Sequence, residues 1–386
     1  MAPLDALGFD GTGRHDRRRQ KGTDMDDGAR EALRDGIAGL LGPLLTALET
    51  LAFAARHLHP PHLGQLVAAI ADRGPPLKQA LAAFRTLPMP PEGERIGALL
   101  AEAASEACAA YDELGAATET REGVFLAYRA LRHLGRANEA LHPLCRVLPP
   151  VGLYFLRPEK RGDEALKARL AAPPARNSGL HHARNARKER GGFSVYVPEW
   201  LDPETPAPLI MALHGGSGHG RDFVWSWLAD ARAAGAILVS PTSPEGTWSL
   251  MEPERDAALL GRILDEVRGL WKVDPARMLL TGMSDGGTFT YLAGYREGAP
   301  FTHLAPIAAS FHPMLTSFLD ARRVMRVPLH IVHGALDWMF PAAMGREAEA
   351  AFRLAGAPVV YREIDDLSHT YPAEENARLL GWAFDR

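Results

Sequence analysis

A serine within a glycine-rich turn carries the strongest chemical signal in the chain. Residues 282–287 read GMSDGG, follow the apolar run 278–280 and precede a segment compatible with a helix. In a G-x-S-x-G turn the serine is held in a strained strand-to-helix bend, and the flanking glycines let strand and helix approach closely. The pattern predicts that Ser284 is a nucleophile, with the N–H groups of the following helix directed at the reacting centre.

A serine hydroxyl is a weak nucleophile at neutral pH and needs a base and an acid that orients the base. Asp337 ends the segment HGALD after an apolar strand, and His369 follows the last strand. We predict His369 as the general base and Asp337 as its partner. Asp365 and Asp366, beside the last strand, are the alternative acids.

A second glycine-rich loop, HGGSG at residues 214–218, follows the apolar run 208–213. We predict that backbone N–H groups of Gly216 or Ser217, together with that of Asp285, bind the oxygen of a tetrahedral intermediate. One such donor is typically worth about 3 to 4 kcal/mol. No role is expected for the Asp285 side chain.

Two tryptophans follow strand ends in this half of the chain. Trp248 and Trp338 are predicted to line the acyl or leaving-group pocket, because aromatic side chains in such loops commonly form apolar clefts. Packing in the core is the equally weighted alternative.

Short apolar runs alternate with helical patterns after about residue 190, which predicts a mostly parallel sheet covered on both faces. The predicted strands are 193–197, 208–213, 236–240, 277–282, 303–308, 328–333 and 358–364. The predicted helices are 222–234, 255–271, 286–296, 341–355 and 373–384. Ser284, Asp337 and His369 all follow strands, at the sheet edge where open α/β sheets bind ligands.

The rest of the chain is organised differently. We predict a disordered tail over residues 1–25, an all-α helical domain over 26–150 and a basic connector over 151–190, followed by the catalytic domain over 191–386. Proline clusters, the first at Gly42-Pro43, are expected to divide the helical domain into four to six helices. The connector is read as a solvated segment, with an anionic partner as the alternative.

Composition excludes several classes of function. The 386 residues carry a net charge of −4, which does not favour a nucleic-acid partner. The two cysteines, Cys108 and Cys145, lack metal-ligand spacing, so no metal and no cofactor are predicted. With no export signal or membrane span recognised in the sequence, a cytoplasmic location is expected.

The four motifs together resemble the α/β-hydrolases, specifically the phospholipase/carboxylesterase and polyhydroxybutyrate-depolymerase-like esterases. The resemblance covers about half of the chain and none of the helical half. It implies hydrolysis of carboxylic esters, thioesters or lysophospholipids through an acyl-serine intermediate, with a small-molecule ester as substrate and no cofactor.

Other functions remain open at this point. One is a binding or scaffold protein whose hydrolase domain has lost turnover, and another is a peptidase or lactone hydrolase of the same fold. The helical domain could form a lid, a homo-oligomer contact or a docking site for a protein partner.

Overall fold

The computed structural model describes residues 9–11 and 27–385. Within these, the chain separates into two compact units that meet in sequence between Phe155 and Leu156. The first unit is helical, and the second contains the sheet.

The helical unit contains a run of α-helices separated by short turns. They are α1 Asp27–His57, α2 Leu63–Ile70, α3 Gly74–Phe84, α4 Glu94–Ala117, α5 Gly123–Ala130, α6 Arg132–Leu141 and α7 Pro149–Tyr154. The apolar stripe of α4 is buried at Leu100, Ala103 and Ala107, as the 3.6-residue spacing indicates. Tyr111 on the same helix donates its hydroxyl to the Ala47 carbonyl of α1 at 3.1 Å.

The break predicted at Gly42-Pro43 is wrong, because α1 runs through Pro43 without interruption. Leu40, Leu41 and Leu44 around the proline are buried. Burial of this apolar face outweighs the hydrogen bond that an internal proline removes.

Helix α1 also has an unusual composition. Its segment Glu31–His57 is long and apolar enough to cross a membrane by length and composition alone, and 39% of its most apolar stretch is buried. By length and composition alone, the core helix of a soluble protein and a signal sequence near an N-terminus meet the same criteria.

The second unit is built on a nine-stranded sheet. The strands are β1 Phe9–Gly11, β2 Gly179–Ala183, β3 Phe193–Val197, β4 Ala207–Leu213, β5 Ile237–Pro241, β6 Val273–Met283, β7 His303–Ile307, β8 Leu329–Gly334 and β9 Val359–Ile364. Their order is β1-β2-β3-β5-β4-β6-β7-β8-β9. The pairs from β1 through β3 to β5 are antiparallel, and the remaining pairs are parallel.

Helices follow most of the parallel strands. They are α9 Gly220–Phe223, α10 Leu228–Ala234, α11 Pro253–Leu270, α12 Asp285–Gly294, α13 Ala321–Val324, α14 Ala342–Leu354 and α15 Asn376–Phe384, with α8 Glu164–Ala171 preceding β2. Every residue of β4, β5, β7 and β8 is buried. A strand buried at consecutive positions is covered on both faces, so the predicted fold class is confirmed.

The structure differs from the sequence expectation at the edge of the sheet. The stretch 151–190, predicted as a connector, contains α8 and the strand β2, whose pairing with β3 extends from Gly179 to Ala183. Its sequence, GLHHA, lacks the β-branched alternation that predicts a strand, and only pairing with β3 reveals it.

The predicted disordered tail falls largely outside the described residues. Of its positions, residues 9–11 form the strand β1, which pairs with β2 from Phe9 opposite Ala183. A strand therefore stands where the sequence predicted no regular structure.

Candidate active site

Ser284 occupies a strained bend between β6 and α12. Its backbone has φ 56° and ψ −122°, a conformation that costs of order 1–3 kcal/mol for a residue with a side chain. The glycines are required by close approach: a Cβ at Gly282 would lie 2.4 Å from the Gly286 carbonyl oxygen, and one at Gly286 would lie 2.5 Å from that of Leu213. The Ser284 N–H donates to Ile307 O at 2.9 Å, which ties the bend to β7.

Three side chains from separate loops meet at this bend. Ser284 Oγ lies 3.0 Å from His369 Nε2, and His369 Nδ1 lies 2.8 Å from Asp337 Oδ2. All three residues are buried, with exposed fractions of 8% for Ser284, 5% for His369 and 6% for Asp337. With Nδ1–H donating to the carboxylate, Nε2 is the acceptor that faces the hydroxyl. The alternative acids, Asp365 and Asp366, are both exposed.

The Asp337 carboxylate is fixed by its own loop. Oδ1 accepts hydrogen bonds from the backbone N–H groups of Met339 and Phe340, at 3.0 and 2.8 Å. His333 Nε2 lies 3.6 Å from Oδ2 and makes its hydrogen bond to the Phe340 carbonyl oxygen at 2.8 Å. His333 therefore supports the backbone of the acid loop, and the Phe340 ring packs edge-on against the imidazole of His369 with centroids 5.2 Å apart.

The glycine-rich segment 214–218, which we term the oxyanion loop, passes directly beside the serine. A Cβ at Gly215 would lie 3.2 Å from Ser284 Cβ. The N–H of Asp285 belongs to the first turn of α12, where backbone donors have no partner within the helix. Gly216 and Asp285 therefore stay the predicted oxyanion donors.

Ser217 differs from its prediction as a donor. Its N–H donates to the Gly246 carbonyl oxygen at 2.8 Å, so this group already has an acceptor. Its φ of 55° is in the left-handed region, which is unfavourable for a residue with a Cβ. Ser217 shapes the loop in this structure instead of supplying a free N–H.

The Asp285 side chain has a partner that the sequence did not suggest. Thr247 Oγ1 donates to Asp285 Oδ2 at 2.6 Å. A Cβ at Gly216 would lie 2.7 Å from the same oxygen. The carboxylate thus fills the space next to the oxyanion loop, and a Cβ at position 216 would require it to shift.

Trp248 packs in the core, the alternative that the sequence left open. It is 1% exposed, stacks on Phe289 with centroids 5.3 Å apart, and donates its indole N–H to the His214 carbonyl oxygen at 2.8 Å. Trp248 therefore supports the oxyanion loop at His214 and does not line an open pocket. Trp338 is half-buried, and its role in binding stays a prediction.

Two further features concern metal binding and the position of a cavity. Among residues 9–11 and 27–385, no group of three or more His, Cys, Asp or Glu side chains is arranged to hold a metal ion. The second unit also contains a cavity of about 580 Å³, and Ser284, Asp337 and His369 do not line it. It is lined by Glu254, Arg296, Glu297, Ser317, Phe318, Leu319 and Asp320.

Comparison by sequence identifies two esterases among the relatives of this chain, while no protein-family profile matches it. The chain is 30% identical over 160 residues to the bifunctional acetylxylan esterase/xylanase XynS20E of Neocallimastix patriciarum, a match that covers 39% of this chain and 22% of that protein. It is 32% identical over 116 residues to feruloyl esterase C of Emericella nidulans, covering 28% and 43% of the two proteins. The match thus spans less than half the length of either relative.

Solved structures similar to this chain include a thermostable esterase, with 20% identity and a TM-score of 0.43 over 50% of this chain and 58% of that one. Another is FphF, a fluorophosphonate-binding serine hydrolase of Staphylococcus aureus, with 16% identity and a TM-score of 0.46 over 56% and 100% of the two chains.

The resemblance to esterases of the α/β-hydrolase superfamily is confirmed by the two sequence relatives and by the mostly parallel sheet with its strained bend at Ser284.

Proposed function

We propose that the protein is a serine esterase in which Ser284 attacks the ester, His369 is the general base and Asp337 orients the base. One observation carries the proposal: the continuous hydrogen-bonded path from Ser284 Oγ to His369 Nε2 at 3.0 Å, and from His369 Nδ1 to Asp337 Oδ2 at 2.8 Å. A hydroxyl, a base and an oriented acid at these distances are the parts that acyl transfer requires.

The proposed reaction proceeds in two halves. Ser284 Oγ forms a bond to the ester carbonyl carbon while its proton passes to His369 Nε2, and the N–H groups of Gly216 and Asp285 stabilise the resulting oxyanion. The tetrahedral intermediate expels the alcohol, which takes the proton from His369. Water, activated by the same imidazole, then hydrolyses the acyl-serine, and carboxylic acid leaves.

The acyl group is the open part of the substrate. The names of the two sequence relatives point to acetyl and feruloyl esters, and we propose small or aromatic carboxylic esters as the substrates to examine first. A panel should include p-nitrophenyl esters of increasing chain length, acetylated xylan, methyl ferulate, an acyl thioester, a lysophospholipid, a lactone and a peptide amide. Trp338 is the proposed wall of the pocket, so the Trp338→Ala variant should change the chain-length preference within this panel.

Replacement of the nucleophile tests the proposal. Ser284→Ala should reduce kcat by about 10^4- to 10^6-fold, the range that removal of single triad members reaches in subtilisin, while the thermal unfolding temperature stays close to that of the wild type. Ser178→Ala is a matched control, because Ser178 Oγ donates only to the Ala175 carbonyl oxygen, far along the chain from the bend. Near-normal turnover by Ser284→Ala would refute the assignment.

A fluorophosphonate probe separates an active esterase from a scaffold protein that has lost turnover. The wild type and Ser178→Ala should be labelled covalently, and Ser284→Ala should not. Absence of labelling in the wild type would favour the scaffold function.

A cytoplasmic location and a partner or second copy bound through the helical unit are further parts of the proposal. Cell fractionation tests the location, and light scattering of the purified chain tests self-association. Recovery in the membrane fraction would contradict the first, and a monomer at all concentrations would contradict self-association.

A further inference from the structure

Arg190 makes more hydrogen bonds beside the active site than a solvated connector residue would. Its Nε donates to the Ser243 carbonyl oxygen at 3.0 Å, its Nη1 to the Gly218 carbonyl oxygen at 2.9 Å and its Nη2 to Ser243 Oγ at 2.5 Å. A second donation from Nη2 reaches the Glu245 carbonyl oxygen. All three guanidinium nitrogens are therefore engaged with two loops.

These two loops both follow strands at the catalytic edge of the sheet. Gly218 ends the oxyanion loop, and Ser243 and Glu245 belong to residues 242–248, which we term the β5 loop. The planar guanidinium offers five donors in a fixed fork, whereas a lysine ammonium is a single compact point of charge. Only arginine can bridge four acceptors on two loops at these spacings.

The backbone that carries Arg190 is itself anchored. The next residue, Gly191, donates its N–H to the Thr242 carbonyl oxygen at 3.2 Å, and Thr242 donates its N–H to the Gly192 carbonyl oxygen at 2.8 Å. Gly191 has φ 76°, a conformation that glycine adopts without strain. These two backbone hydrogen bonds hold the residues that follow Arg190 against Thr242, the first residue of the β5 loop.

The β5 loop in turn holds the oxyanion loop. The Gly246 carbonyl oxygen accepts from the N–H of Ser217 at 2.8 Å, and the N–H of Ser243 donates to His214 Nε2 at 3.0 Å. Arg190 binds Ser243 directly, and it binds Glu245, the residue that precedes Gly246. Because Ser217 has a left-handed backbone, the conformation of its neighbour Gly216 depends on these external hydrogen bonds.

We infer that Arg190 is a positioning residue for the oxyanion loop: it holds the β5 loop and Gly218 together so that the Gly216 N–H meets the oxyanion. The inference rests on the proposed esterase function and adds a residue on which that site depends. Catalytic donors must be held within a fraction of an ångström, and a displacement of about 1 Å can cost about 100-fold in rate.

The test compares Arg190→Ala and Arg190→Lys with Arg187→Ala in the full chain. Arg187 lies three residues earlier and pairs on the surface with Asp222, Nη1 to Oδ1, at 2.7 Å. We expect Arg190→Ala to lower kcat for a neutral p-nitrophenyl ester by about 10- to 100-fold with KM within about threefold of the wild type. Arg187→Ala should stay within about twofold in both constants.

Two readouts separate positioning from a general loss of stability. Millimolar guanidinium chloride should restore several-fold of the kcat lost in Arg190→Ala and leave Arg187→Ala unchanged, since the ion can occupy the empty fork site. Arg190→Lys should remain as folded as the wild type by circular dichroism and still have a lower kcat. If Arg190→Ala does not fold, the kcat of Arg190→Lys tests the positioning role.

Two outcomes would overturn the inference: a folded Arg190 variant whose kcat equals that of Arg187→Ala, whether or not both are reduced, or a change in the Arg190 variants that is confined to KM. An active, fluorophosphonate-labelled wild type with fully active Arg190 variants refutes the role of Arg190 and leaves the esterase standing. A wild type that neither turns over the ester nor is labelled refutes the proposed function and the inference with it.

Discussion

Replacing Asp337 by asparagine should abolish most of the activity without removing any of the contacts that shape the site. In the wild type, Asp337 Oδ1 accepts from the N–H groups of Met339 and Phe340, and Oδ2 faces His369 Nδ1 at 2.8 Å. An asparagine that keeps its carbonyl oxygen on the two backbone donors must turn its amide NH2 towards His369.

That orientation forces the wrong tautomer of the base. His369 Nδ1 must then accept a hydrogen bond, so the ring proton resides on Nε2 and points at Ser284 Oγ. A protonated Nε2 cannot accept the proton of the serine hydroxyl. The opposite amide orientation would leave the N–H groups of Met339 and Phe340 facing an NH2 group, at a cost of about 1–3 kcal/mol for each unpaired donor. The inactive tautomer is therefore favoured by several kcal/mol.

The expected loss in kcat is about 10^4-fold, the effect that the same exchange has in a serine-protease triad. This corresponds to about 5.5 kcal/mol in the activation free energy. Initial rates on a p-nitrophenyl ester measure kcat, and ¹⁵N NMR of the histidine rings identifies the tautomer of His369. Asp366→Asn is the matched control, since Asp366 is exposed and should keep full activity.

Two results would refute this reasoning. The first is a kcat for Asp337→Asn within tenfold of the wild type in a folded protein. The second is an NMR spectrum in which His369 of the variant retains its proton on Nδ1 while activity is lost, because the loss would then have another cause.

Three further changes have defined outcomes. Gly216→Ala places a Cβ 2.7 Å from Asp285 Oδ2, so the carboxylate or the oxyanion loop must shift and kcat should fall by about tenfold or more while circular dichroism stays native; an unchanged kcat would contradict the need for this fixed arrangement. Trp248→Phe removes the donor to the His214 carbonyl oxygen and should cost about 1–3 kcal/mol in the free energy of unfolding, whereas unchanged urea unfolding would contradict that contact. Burial lowers the pKa of the His330 imidazole to about 4, below its reference of about 6.5 in an unfolded chain, so between these pH values protonation favours unfolding. His330→Phe should therefore lose about 2 kcal/mol less stability than the wild type between pH 7 and pH 4.5 in urea titrations, and equal losses would contradict this.

Local patterns were enough to predict the strands of the catalytic unit and the order of its chemistry. All seven predicted strands are present. In β4, β5, β7 and β8, consecutive buried positions leave apolar runs in the sequence, whereas β9 is only partly buried. The bend at Ser284 was recognisable because close backbone approach demands glycine at both flanks. Strand β2 was missed because its residues owe their burial to a partner strand and not to their own alternation.

The sequence by itself determined which kinds of residue follow which strands, and so which chemistry the chain could carry out. Tertiary structure alone decided that Asp337, and not Asp366, lies against His369, that Ser217 has its N–H occupied, and that Arg190 reaches the oxyanion loop. The physical reason is that a hydrogen bond depends on distance and direction between atoms, and these are set by how distant segments pack, which no local spacing of residue types encodes.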